Sequence, residues 1–398
     1  MEFKQNVLNF IFRNRCQIAG LYFYLLFWIL PIKKNKIVFQ SQLGSGYSCN
    51  PKYITEEFLK QKLPVEIVWL TRKMFMDSEN FPKGVKVVDY DDINKAFFEL
   101  ATAKVWISNI RFNNLIKKGL RKKRGQIYLN TWHGSLGIKR IGSDAQILNN
   151  NKEWETLAHI DSDYMDYMVS NSDFESDVYR NAVWFKNKIL KFGHPRNDVF
   201  FVQDNDFRNS VLEKLGIEKN TKIVLYVPSH RDTFRTSCFN IDYENITKTL
   251  ENKTGDKWKV LSKFHTRNIH LLDKLTGKNP YQYDVTMYHD VQDLLRVADI
   301  IISDYSSCMF DYMLTRKPCF VFATDIKEFN NERGFYYPLE TTPFPIAENN
   351  EQLVKNIENF DLKTYQEEDD KFLNKMNCID DGMASNRVVN YLKNLLKI

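Results

Sequence analysis

The stretch DIIISDYSSCMFDY, residues Asp299–Tyr312, decides the fold of this chain. Its three consecutive isoleucines are typical of a strand in a parallel sheet, which is buried on both faces. A polar turn, Asp304–Ser307, follows directly, and a helical pattern begins near Ser307. The stretch therefore predicts a strand, a polar loop and a helix, which is the unit repeated in doubly wound α/β sheets.

The same order recurs along the second half of the chain. Stretches that run from a strand into a loop are predicted at Thr221–Asp232 and Trp258–Asn268, and further strands are predicted at Tyr281–Met287 and Lys317–Thr324. Helices are predicted at residues 291–298, 350–360 and 384–398. Strands that alternate with helices indicate a parallel sheet with crossover helices.

The first half shows the same alternation. Strands are predicted at Ile37–Gln40, Val65–Thr71, Val85–Asp91, Lys104–Asn109, Gln126–Trp132, Tyr164–Ser170 and Lys188–Phe192. Helices are predicted at Pro51–Gln61, with Asn50 as its N-cap, at residues 92–103 and at Phe174–Arg180. The polar stretch Gln203–Asn209 is interpreted as a domain junction, which gives two doubly wound domains in tandem.

Length, charge and cysteine usage set the broad class of protein. A chain of 398 residues is too long for one ordinary core, which also predicts two domains. The net charge of +6 permits anionic partners such as a nucleotide, and without zinc-finger spacing we predict no nucleic-acid partner. The six cysteines are scattered without a C-x-x-C pair, which favours a reduced, cytoplasmic setting over a disulfide framework.

An uncharged apolar run, Ile18–Ile32, lies near the N-terminus. It is shorter than the roughly 20 residues that a membrane-spanning helix needs, and Pro31 ends it. A buried helix, an interfacial helix and a membrane span are the three interpretations, and Trp28 with its tyrosine and lysine neighbours favours the interfacial form. The basic run KKGLRKKR (Lys117–Arg124) is most simply a solvated face, and it also suits anionic lipid.

Polar candidates for function follow the predicted strands, at the ends where open parallel sheets bind ligands. They are His133 after QIYLNTW, Ser229–Asp232 after IVLYVP, His265 after VLSKF, and Asp304–Ser307 after the isoleucine strand. This agreement in position carries more weight than any single motif. The histidines lack metal-site spacing and no Walker or G-x-G-x-x-G loop follows a strand, so we predict no metal and no cofactor.

Several of these residue types suit a phosphate group. Ser306 and Ser307, at a predicted helix N-terminus, offer hydroxyls and backbone N–H groups, and simple N-capping by either serine is the alternative. Lys263 and His265 set positive charge at one strand end, and Arg231 can bind a phosphate through two parallel hydrogen bonds. A solvated loop is the alternative interpretation at both of these places.

The stretch TWHGSLGIKRIG, Thr131–Gly142, puts a histidine at a strand end beside a glycine and two cations. The imidazole of His133 titrates near neutral pH and can accept a proton from a hydroxyl nucleophile. Gly134 permits unusual backbone angles, and Lys139 and Arg140 suit an anionic partner. The alternative is a tryptophan–histidine pair that serves only the core and a cap.

Six motifs in order make the chain resemble a known family. They are WHG (132–134), GHPRND (193–198), VPSHRD (227–232), KFH (263–265), DYSSCMFDYMLTRKPCFVF (304–322) and NERGFYYPLE (331–340). Together they resemble the CDP-glycerol:poly(glycerophosphate) glycerophosphotransferase family of teichoic acid and capsule synthesis. The resemblance implies a GT-B fold, in which two Rossmann-like domains face each other across a cleft.

The resemblance also implies four segments and a location. They are a membrane-associating helix (1–35), an acceptor-side domain (36–205), a nucleotide-binding domain (206–380) and a C-terminal helix that crosses back to the first domain (381–398). Members of the family act on lipid-linked acceptors at the inner membrane face. This implies a peripheral protein on the cytoplasmic face, with the membrane surface as a partner.

The implied reaction moves glycerol phosphate from CDP-glycerol to an acceptor hydroxyl and releases CMP. His133 matches the histidine of WHG and is the implied general base, while His265 is implied to stabilise the pyrophosphate charge. The other implied donor-site residues are Arg231, Lys263, Asp304, Ser306, Ser307 and Arg333. The implied acceptor-side residues are Gly134, Ser135, Lys139 and Arg140.

Three alternatives stay open at the level of sequence. CDP-ribitol differs from CDP-glycerol only in polyol length, so a ribitol phosphate transferase fits the same motifs. A GT-B glycosyltransferase that uses a nucleotide sugar, or a non-catalytic membrane-associated binding protein, also fits the fold. The implied acceptor is a lipid-linked or growing polymeric glycan, and the sequence does not distinguish a primase, a polymerase and a capsule transferase.

Overall fold

The computed structural model describes residues 18–77, 81–145, 151–231, 236–265, 275 and 279–398. Parts of three sequence predictions lie outside these ranges: residues 1–17 of the N-terminal segment, Asp232, and residues 266–268 of KFHTRN. Both predicted sheets are present, and every strand pairing in each is parallel. The predicted α/β class with two parallel-sheet units is therefore confirmed.

The first sheet has seven strands. In chain order, β1 to β7 are Lys33–Gln40, Glu66–Thr71, Val85–Asp89, Ala103–Ser108, Ile127–Asn130, Tyr167–Ser170 and Lys188–Lys191. Their order in the sheet is β3-β2-β1-β4-β5-β6-β7, so the direction of winding reverses between β1 and β4. Open α/β sheets bind ligands outside the carboxyl ends of the strands at such a switch point.

Helices cover both faces of this sheet. They are α1 (residues 18–26), α2 (Cys49–Lys60), α3 (Ile93–Thr102), α4 (Asn113–Lys117), α5 (Lys152–Tyr164) and α6 (Asp173–Ala182). Successive side chains of a strand point to opposite faces, so Val38 packs in one core cluster with Trp106 while Phe39 packs in the other with Trp69. The sheet is therefore buried on both sides, which explains its nearly continuous apolar strands.

The second sheet has six strands. In chain order, β8 to β13 are Lys222–Tyr226, Trp258–Ser262, Gln282–Asp284, Ile300–Ser303, Cys319–Phe322 and Ile346–Ala347. Their order is β10-β9-β8-β11-β12-β13, with the reversal between β8 and β11. This is the strand order of the doubly wound nucleotide-binding sheet, and it brings the loops after β8 and β11 together.

The remaining helices follow along the chain. They are α7 (Asn205–Lys214), α8 (Tyr243–Thr254), α9 (Val291–Val297), α10 (Cys308–Met313), α11 (Ile326–Arg333), α12 (Asn350–Glu358), α13 (Leu362–Lys375) and α14 (Ala384–Leu396). The polar stretch Gln203–Asn209 contains the start of α7, where Asp204 accepts a hydrogen bond from the Phe207 N–H at 2.9 Å. Polar residues are favoured at the start of a helix, where they cap it. They give the stretch Gln203–Asn209 a composition that resembles a linker.

The chain divides into two compact units whose membership departs from chain order. The first unit holds the residues up to His133 together with Ile141–Asp198 and Ile379–Ile398. The second unit holds Gly134–Arg140 and Val199–Cys378. Seven residues that follow a strand of the first sheet therefore pack within the second unit.

The last helix, α14, belongs to the first unit. Val388 and Leu392 are fully buried in its core. The carboxylate of Asp198, the last residue of the GHPRND turn, accepts a hydrogen bond from the Ser385 N–H at 2.7 Å. An acidic side chain at a helix N-terminus satisfies open donors and complements the helix dipole, so this turn holds the start of α14.

The N-terminal apolar run, Ile18–Ile32, has one buried face and one exposed face. Phe23 and Phe27 are buried, with ring centroids 5.3 Å and 5.8 Å from the ring of Phe97. On the other side Leu25 is 68% exposed and Ile29 is 82% exposed. Within the described ranges, no helix combines the length and apolar character needed to cross a membrane.

Candidate active site

The first group of candidate residues lies at the switch point of the first sheet. Asn109 directly follows β4, and the turn that carries His133 follows the neighbouring strand β5. The Nδ1 atom of His133 lies 2.7 Å from the backbone carbonyl oxygen of Asn109. A carbonyl oxygen only accepts hydrogen bonds, so Nδ1 carries the hydrogen and, in the neutral ring, Nε2 carries the lone pair.

Asn109 is itself fixed by the loop that follows β1. Its side-chain oxygen accepts a hydrogen bond from the Gln42 N–H at 2.8 Å, and its amide nitrogen lies 3.3 Å from Ser41 Oγ. The Asn109 side chain is fully buried. The carbonyl that orients His133 therefore belongs to a residue held by buried hydrogen bonds, which limits rotation of the imidazole.

The turn before His133 is strained at a different residue from the one the sequence indicated. Trp132 has φ 50°, in the left-handed region, whereas Gly134 is not among the positive-φ glycines. A non-glycine residue persists in this region only when its surroundings hold it there. The Trp132 N–H donates to Asn130 Oδ1 at 2.8 Å, and its ring stacks on His133 with centroids 5.0 Å apart.

Asn50 also holds this turn, and the predicted N-cap role for Asn50 is wrong. Helix α2 begins at Cys49, two residues before the predicted start at Pro51, and Ser48 is its N-cap residue. The side-chain amide of Asn50 donates to the carbonyl oxygens of Thr131 (3.2 Å) and Trp132 (3.1 Å). Sequence reasoning missed this role because the contacts join residues about 80 positions apart, beyond any local pattern.

The second group of candidates lies at the switch point of the second sheet, around Asp304. Its two carboxylate oxygens accept from the Ser229 N–H at 2.8 and 3.0 Å. The Arg231 Nη1 atom lies 2.8 Å from the same carboxylate. Asp304 therefore ties the loop after β8 to the loop after β11.

Arg231 is engaged by protein carboxylates. Its Nε and Nη2 atoms donate to Asp325 at 2.7 and 2.9 Å, and its Nη1 atom also donates to the Ser229 carbonyl at 2.9 Å. Burial lowers the pKa of Arg231, but Asp304 and Asp325 more than offset this, so the pKa is raised overall. The guanidinium fork predicted to bind a phosphate is occupied by Asp325.

Lys263 and His265 follow β9 in the same unit. The Lys263 ammonium donates to the carbonyl oxygens of Thr286 (3.0 Å) and Tyr288 (2.6 Å), and burial lowers the pKa of Lys263 to about 8. His265 is exposed, and its ring centroid lies 5.4 Å from that of His230. His230 belongs to the candidate stretch Ser229–Asp232 after β8, but sequence reasoning assigned it no role of its own.

Ser306 and Ser307 lie in the loop between β11 and α10, and both are partly exposed. Helix α10 has only six residues, Cys308–Met313. Ser307 has helical backbone angles and makes no capping hydrogen bond with its side chain. The Ser307 hydroxyl therefore does not cap α10, which was the alternative interpretation.

The predicted acceptor-side residues lie in the segment that joins the second unit. Lys139 forms an antiparallel β-bridge with Phe335. The Arg140 N–H donates to the Gly334 carbonyl at 3.0 Å, and the Arg140 Nε atom donates to the Phe335 carbonyl at 3.1 Å. The segment thus pairs with the NERGFYYPLE motif, next to Arg333 at the end of α11.

Lys139 reaches the loop after β8 from this segment. Its Nζ atom lies 3.3 Å from Ser229 Oγ. Burial, and next the nearby Arg333, lower the pKa of Lys139 to about 8, while Asp304 acts in the opposite direction. The structure therefore brings Lys139 together with the residues predicted for the donor side.

The predicted site residues divide between the two units as follows. His133 belongs to the first unit, while Gly134, Ser135, Lys139, Arg140, Arg231, Lys263, His265, Asp304, Ser306, Ser307 and Arg333 belong to the second. In the described part of the chain, no group of three or more histidine, cysteine, aspartate or glutamate side chains is arranged to hold a metal ion. The candidate residues themselves carry imidazoles, hydroxyls, cations and the carboxylate of Asp304.

Comparison with known proteins gives a consistent match over nearly the whole chain. A family model described as CDP-Glycerol:Poly(glycerophosphate) glycerophosphotransferase matches residues 22–394. A teichoic acid poly(glycerol phosphate) polymerase of Staphylococcus epidermidis is 31% identical over 371 residues, which cover 89% of this chain and 50% of that protein. The chain thus spans about half the length of this relative.

Two further matches extend over most of both partners. A teichoic acid glycerol-phosphate transferase of Staphylococcus aureus is 29% identical, with 89% of this chain and 92% of that protein covered. A solved structure of the wall teichoic acid polymerase TagF has a TM-score of 0.82 and 28% identity, covering 99% of this chain and 97% of that one. The motifs singled out in the sequence lie within all of these matches.

Proposed function

Because this chain belongs to the CDP-glycerol:poly(glycerophosphate) glycerophosphotransferase family, we propose that it transfers glycerol phosphate from CDP-glycerol to a hydroxyl of a growing teichoic acid polymer. CMP is the second product. The observation that supports this most directly is the 2.7 Å contact between His133 Nδ1 and the Asn109 carbonyl, at the switch point of the first sheet. It presents Nε2 as a base in a fixed orientation.

In the proposed reaction the acceptor hydroxyl attacks the β-phosphorus of the donor. A bond forms between the acceptor oxygen and that phosphorus, while the bond from the phosphorus to the bridging oxygen breaks. The hydroxyl proton moves to Nε2 of His133, and CMP leaves with the electron pair. A positioned general base contributes roughly 10²- to 10⁴-fold to such a step.

The donor site is proposed in the second unit, at the switch point between β8 and β11. Ser306, Ser307 and Arg333 are proposed to contact the donor, and His265 to stabilise the charge of its pyrophosphate. The contacts of Arg231, Asp304 and Lys263 with neighbouring loops support a positioning role for these three residues. Charge that develops on phosphate oxygens is stabilised best by groups that are already oriented.

We also propose the GT-B fold and the roles of the two domains that the resemblance implies. The parallel sheet in each unit and the nucleotide-binding strand order of the second support this. The first unit is then the acceptor side and the second the nucleotide side. A lipid-linked acceptor, and a role in capsule rather than wall synthesis, are further proposals for the same reaction.

Membrane association through α1 and the residues that follow it is a second part of the proposal. Leu21, Leu25 and Ile29 are 57%, 68% and 82% exposed, although Phe23 and Phe27 of the same run are buried. A contiguous exposed apolar surface on a helix that packs by its other face is typical of interfacial membrane binding.

The basic run that follows α4 packs directly against α1, which supports the same proposal. A Cβ placed on Gly119 would lie 2.2 Å from the Ala19 carbonyl oxygen, so the two backbones touch. The Lys123 ammonium, in the basic run, donates to the carbonyl oxygens of Phe27 (3.1 Å) and Leu30 (2.6 Å). These bonds hold the C-terminal end of the apolar run. With the exposed cations of this run, the surface suits an anionic cytoplasmic leaflet.

The proposed reaction is tested by CMP release from CDP-glycerol by the purified chain with a lipid-linked acceptor that already carries glycerol phosphate. His133→Ala is expected to lower the rate at least 100-fold, and His265→Ala to lower it as well. His159→Ala is the matched control, because His159 is an exposed histidine of the same unit as His133 and stacks on Trp184. Its rate is expected to stay within twofold of the unaltered chain.

The other outcomes separate the alternatives. Release from CDP-ribitol, with none from CDP-glycerol, keeps the mechanism and changes the donor. Turnover of a nucleotide sugar without CMP release indicates a glycosyltransferase. Nucleotide binding without turnover on an acceptor that a relative accepts contradicts an enzymatic role.

A further inference from the structure

The segment Gly134–Arg140 places one lysine in the second unit, and the proposed mechanism has not used its charge. This cation is Lys139, which sequence reasoning assigned to the acceptor side. Its backbone is fixed by the bridge to Phe335, and the Tyr336 N–H donates to the Ile138 carbonyl at 2.8 Å. The paired backbone on both sides fixes the point from which the long Lys139 side chain extends.

The Lys139 ammonium has more hydrogen-bond donors than it has acceptors among the described residues around it. An ammonium group has three donors, and its one hydrogen-bond partner among the described residues is Ser229 Oγ at 3.3 Å. No carboxylate of the described residues forms an ion pair with it within 4.0 Å. A cation taken partly out of water without a counterion is costly unless an anion completes its shell.

The neighbouring groups do not neutralise Lys139. Arg333 adds positive charge beside it. Asp304 is the nearby carboxylate, but its oxygens already accept from the Ser229 N–H and from Arg231. Local charge therefore favours a ligand with negative charge at this place.

The segment also lies against the turn proposed to hold phosphate oxygens. A Cβ placed on Gly137 would lie 3.1 Å from the Cβ atom of Ser307. The Tyr337 hydroxyl donates to the Leu136 carbonyl and fixes the same part of the segment. The ammonium of Lys139 and the hydroxyl of Ser307 thus belong to two loops in direct contact within one unit.

We propose that Lys139 binds the diphosphate of the donor, rather than the acceptor. This rests on the proposed function, because it takes CDP-glycerol as the anion. The ammonium group contacts phosphate oxygens of the bound donor. It then neutralises the charge that the CMP phosphate gains when the bond to the β-phosphorus breaks. The chain segment directly after the proposed base therefore carries a cation of the nucleotide site.

The test compares binding of cytidine, CMP and CDP by calorimetry and by competition. Lys139→Met is expected to weaken CDP binding at least tenfold, to weaken CMP binding less, and to leave cytidine binding within twofold. Lys139→Arg keeps the charge and is expected to retain most of the CDP affinity. Lys259→Met is the matched control, because Lys259 is a partly buried lysine of the same unit that lies over the Tyr283 ring.

Each outcome has one meaning. Failure of the unaltered chain to bind CDP overturns the proposed function, and this inference with it. CDP affinity unchanged in Lys139→Met, with a raised KM for the acceptor, overturns this inference alone and returns Lys139 to the acceptor side. If Lys139→Met does not fold, Lys139→Gln, which retains a donor for Ser229, is held to the same expectation.

Discussion

The carbonyl oxygen of Asn109 accepts the hydrogen of His133 Nδ1 at 2.7 Å, and the side chain of Asn109 is in turn bonded to Gln42 and Ser41. The loops after β1, β4 and β5 are thus joined by a chain of hydrogen bonds that ends at the imidazole of His133. Such outer contacts set the tautomer and the orientation of a histidine without touching the substrate. The carbonyl cannot be altered by mutation, but the side chain that holds it can.

Asn109→Ala is expected to lower kcat about tenfold and to leave CDP affinity unchanged, because the imidazole loses its fixed orientation while the donor site is intact. Steady-state kinetics with a saturating acceptor, together with calorimetric CDP binding, measure the two effects separately. Asn151→Ala is the control, since Asn151 only caps α5 through the Trp154 N–H. An unchanged kcat in Asn109→Ala contradicts the role of this carbonyl.

The strands and their polar ends were predictable from sequence, because both depend on short patterns. A buried parallel strand is an apolar run of four to eight residues, and the winding of the sheet places the next polar residue at the ligand-binding edge. His133, Ser229 and Asp304 were found in this way. Nothing beyond the order of residues along the chain was needed for them.

The parts that escaped prediction depend on contacts between distant residues. Asn50 is a favoured N-cap residue type directly before a helical pattern, but its amide is used by a turn about 80 residues away. Arg231 has the chemistry of a phosphate ligand, but Asp325, 94 residues later, occupies its fork. Lys139 follows a strand of the first sheet and packs in the second unit. The periodic pattern of apolar residues carries no information about contacts between residues so far apart in the sequence.

Arg231→Lys is expected to destabilise the second unit by about 1–3 kcal/mol, because a lysine cannot make the two parallel bonds to Asp325 and still reach Asp304. The measurement is urea unfolding followed by tryptophan fluorescence. Arg387→Lys is the control, because its pair with Asp381 is solvent-exposed and such pairs contribute little. Full stability with lost CDP binding would instead identify Arg231 as a direct phosphate ligand.

Lys139→Met is expected to raise the stability of the nucleotide-free chain while it lowers donor affinity. Its folded-state pKa of about 8 lies below the ordinary value of 10.5. The unfolded chain therefore binds more protons than the folded chain between pH 8 and pH 10.5. The charged Lys139 lowers the free energy of unfolding by its full amount below pH 8, and this loss fades as the pH rises towards 10.5. At pH 7 the variant should gain on the order of 1–2 kcal/mol after allowance for partial exposure.

Thermal unfolding at pH 7 and at pH 9.5 checks this expectation. The melting temperature of Lys139→Met should exceed that of the unaltered chain by a few degrees at pH 7. The difference should be smaller at pH 9.5, and saturating CDP should reverse it at pH 7, because the ligand stabilises only the chain that binds it. A variant that is less stable at both pH values would mean that Lys139 serves the fold rather than a ligand.

Glutamates at Leu21 and Leu25 are expected to abolish binding to vesicles of phosphatidylcholine with phosphatidylglycerol. These leucines are 57% and 68% exposed on a run whose buried phenylalanines hold it to the first unit, so the change reaches the surface proposed to face lipid and spares the core. Burying such charges in the apolar layer costs several kcal/mol. Turnover of a short water-soluble acceptor should be unchanged, which separates membrane binding from chemistry.

Leu362→Glu is the control, because Leu362 is 45% exposed at the start of α13 in the other unit. Binding of the double variant at the level of the control would contradict this surface as the membrane contact. Binding of the unaltered chain should also weaken as salt rises from 50 to 500 mM, because salt screens the attraction between the basic run and anionic lipid, on the scale of about 10 Å at 0.1 M.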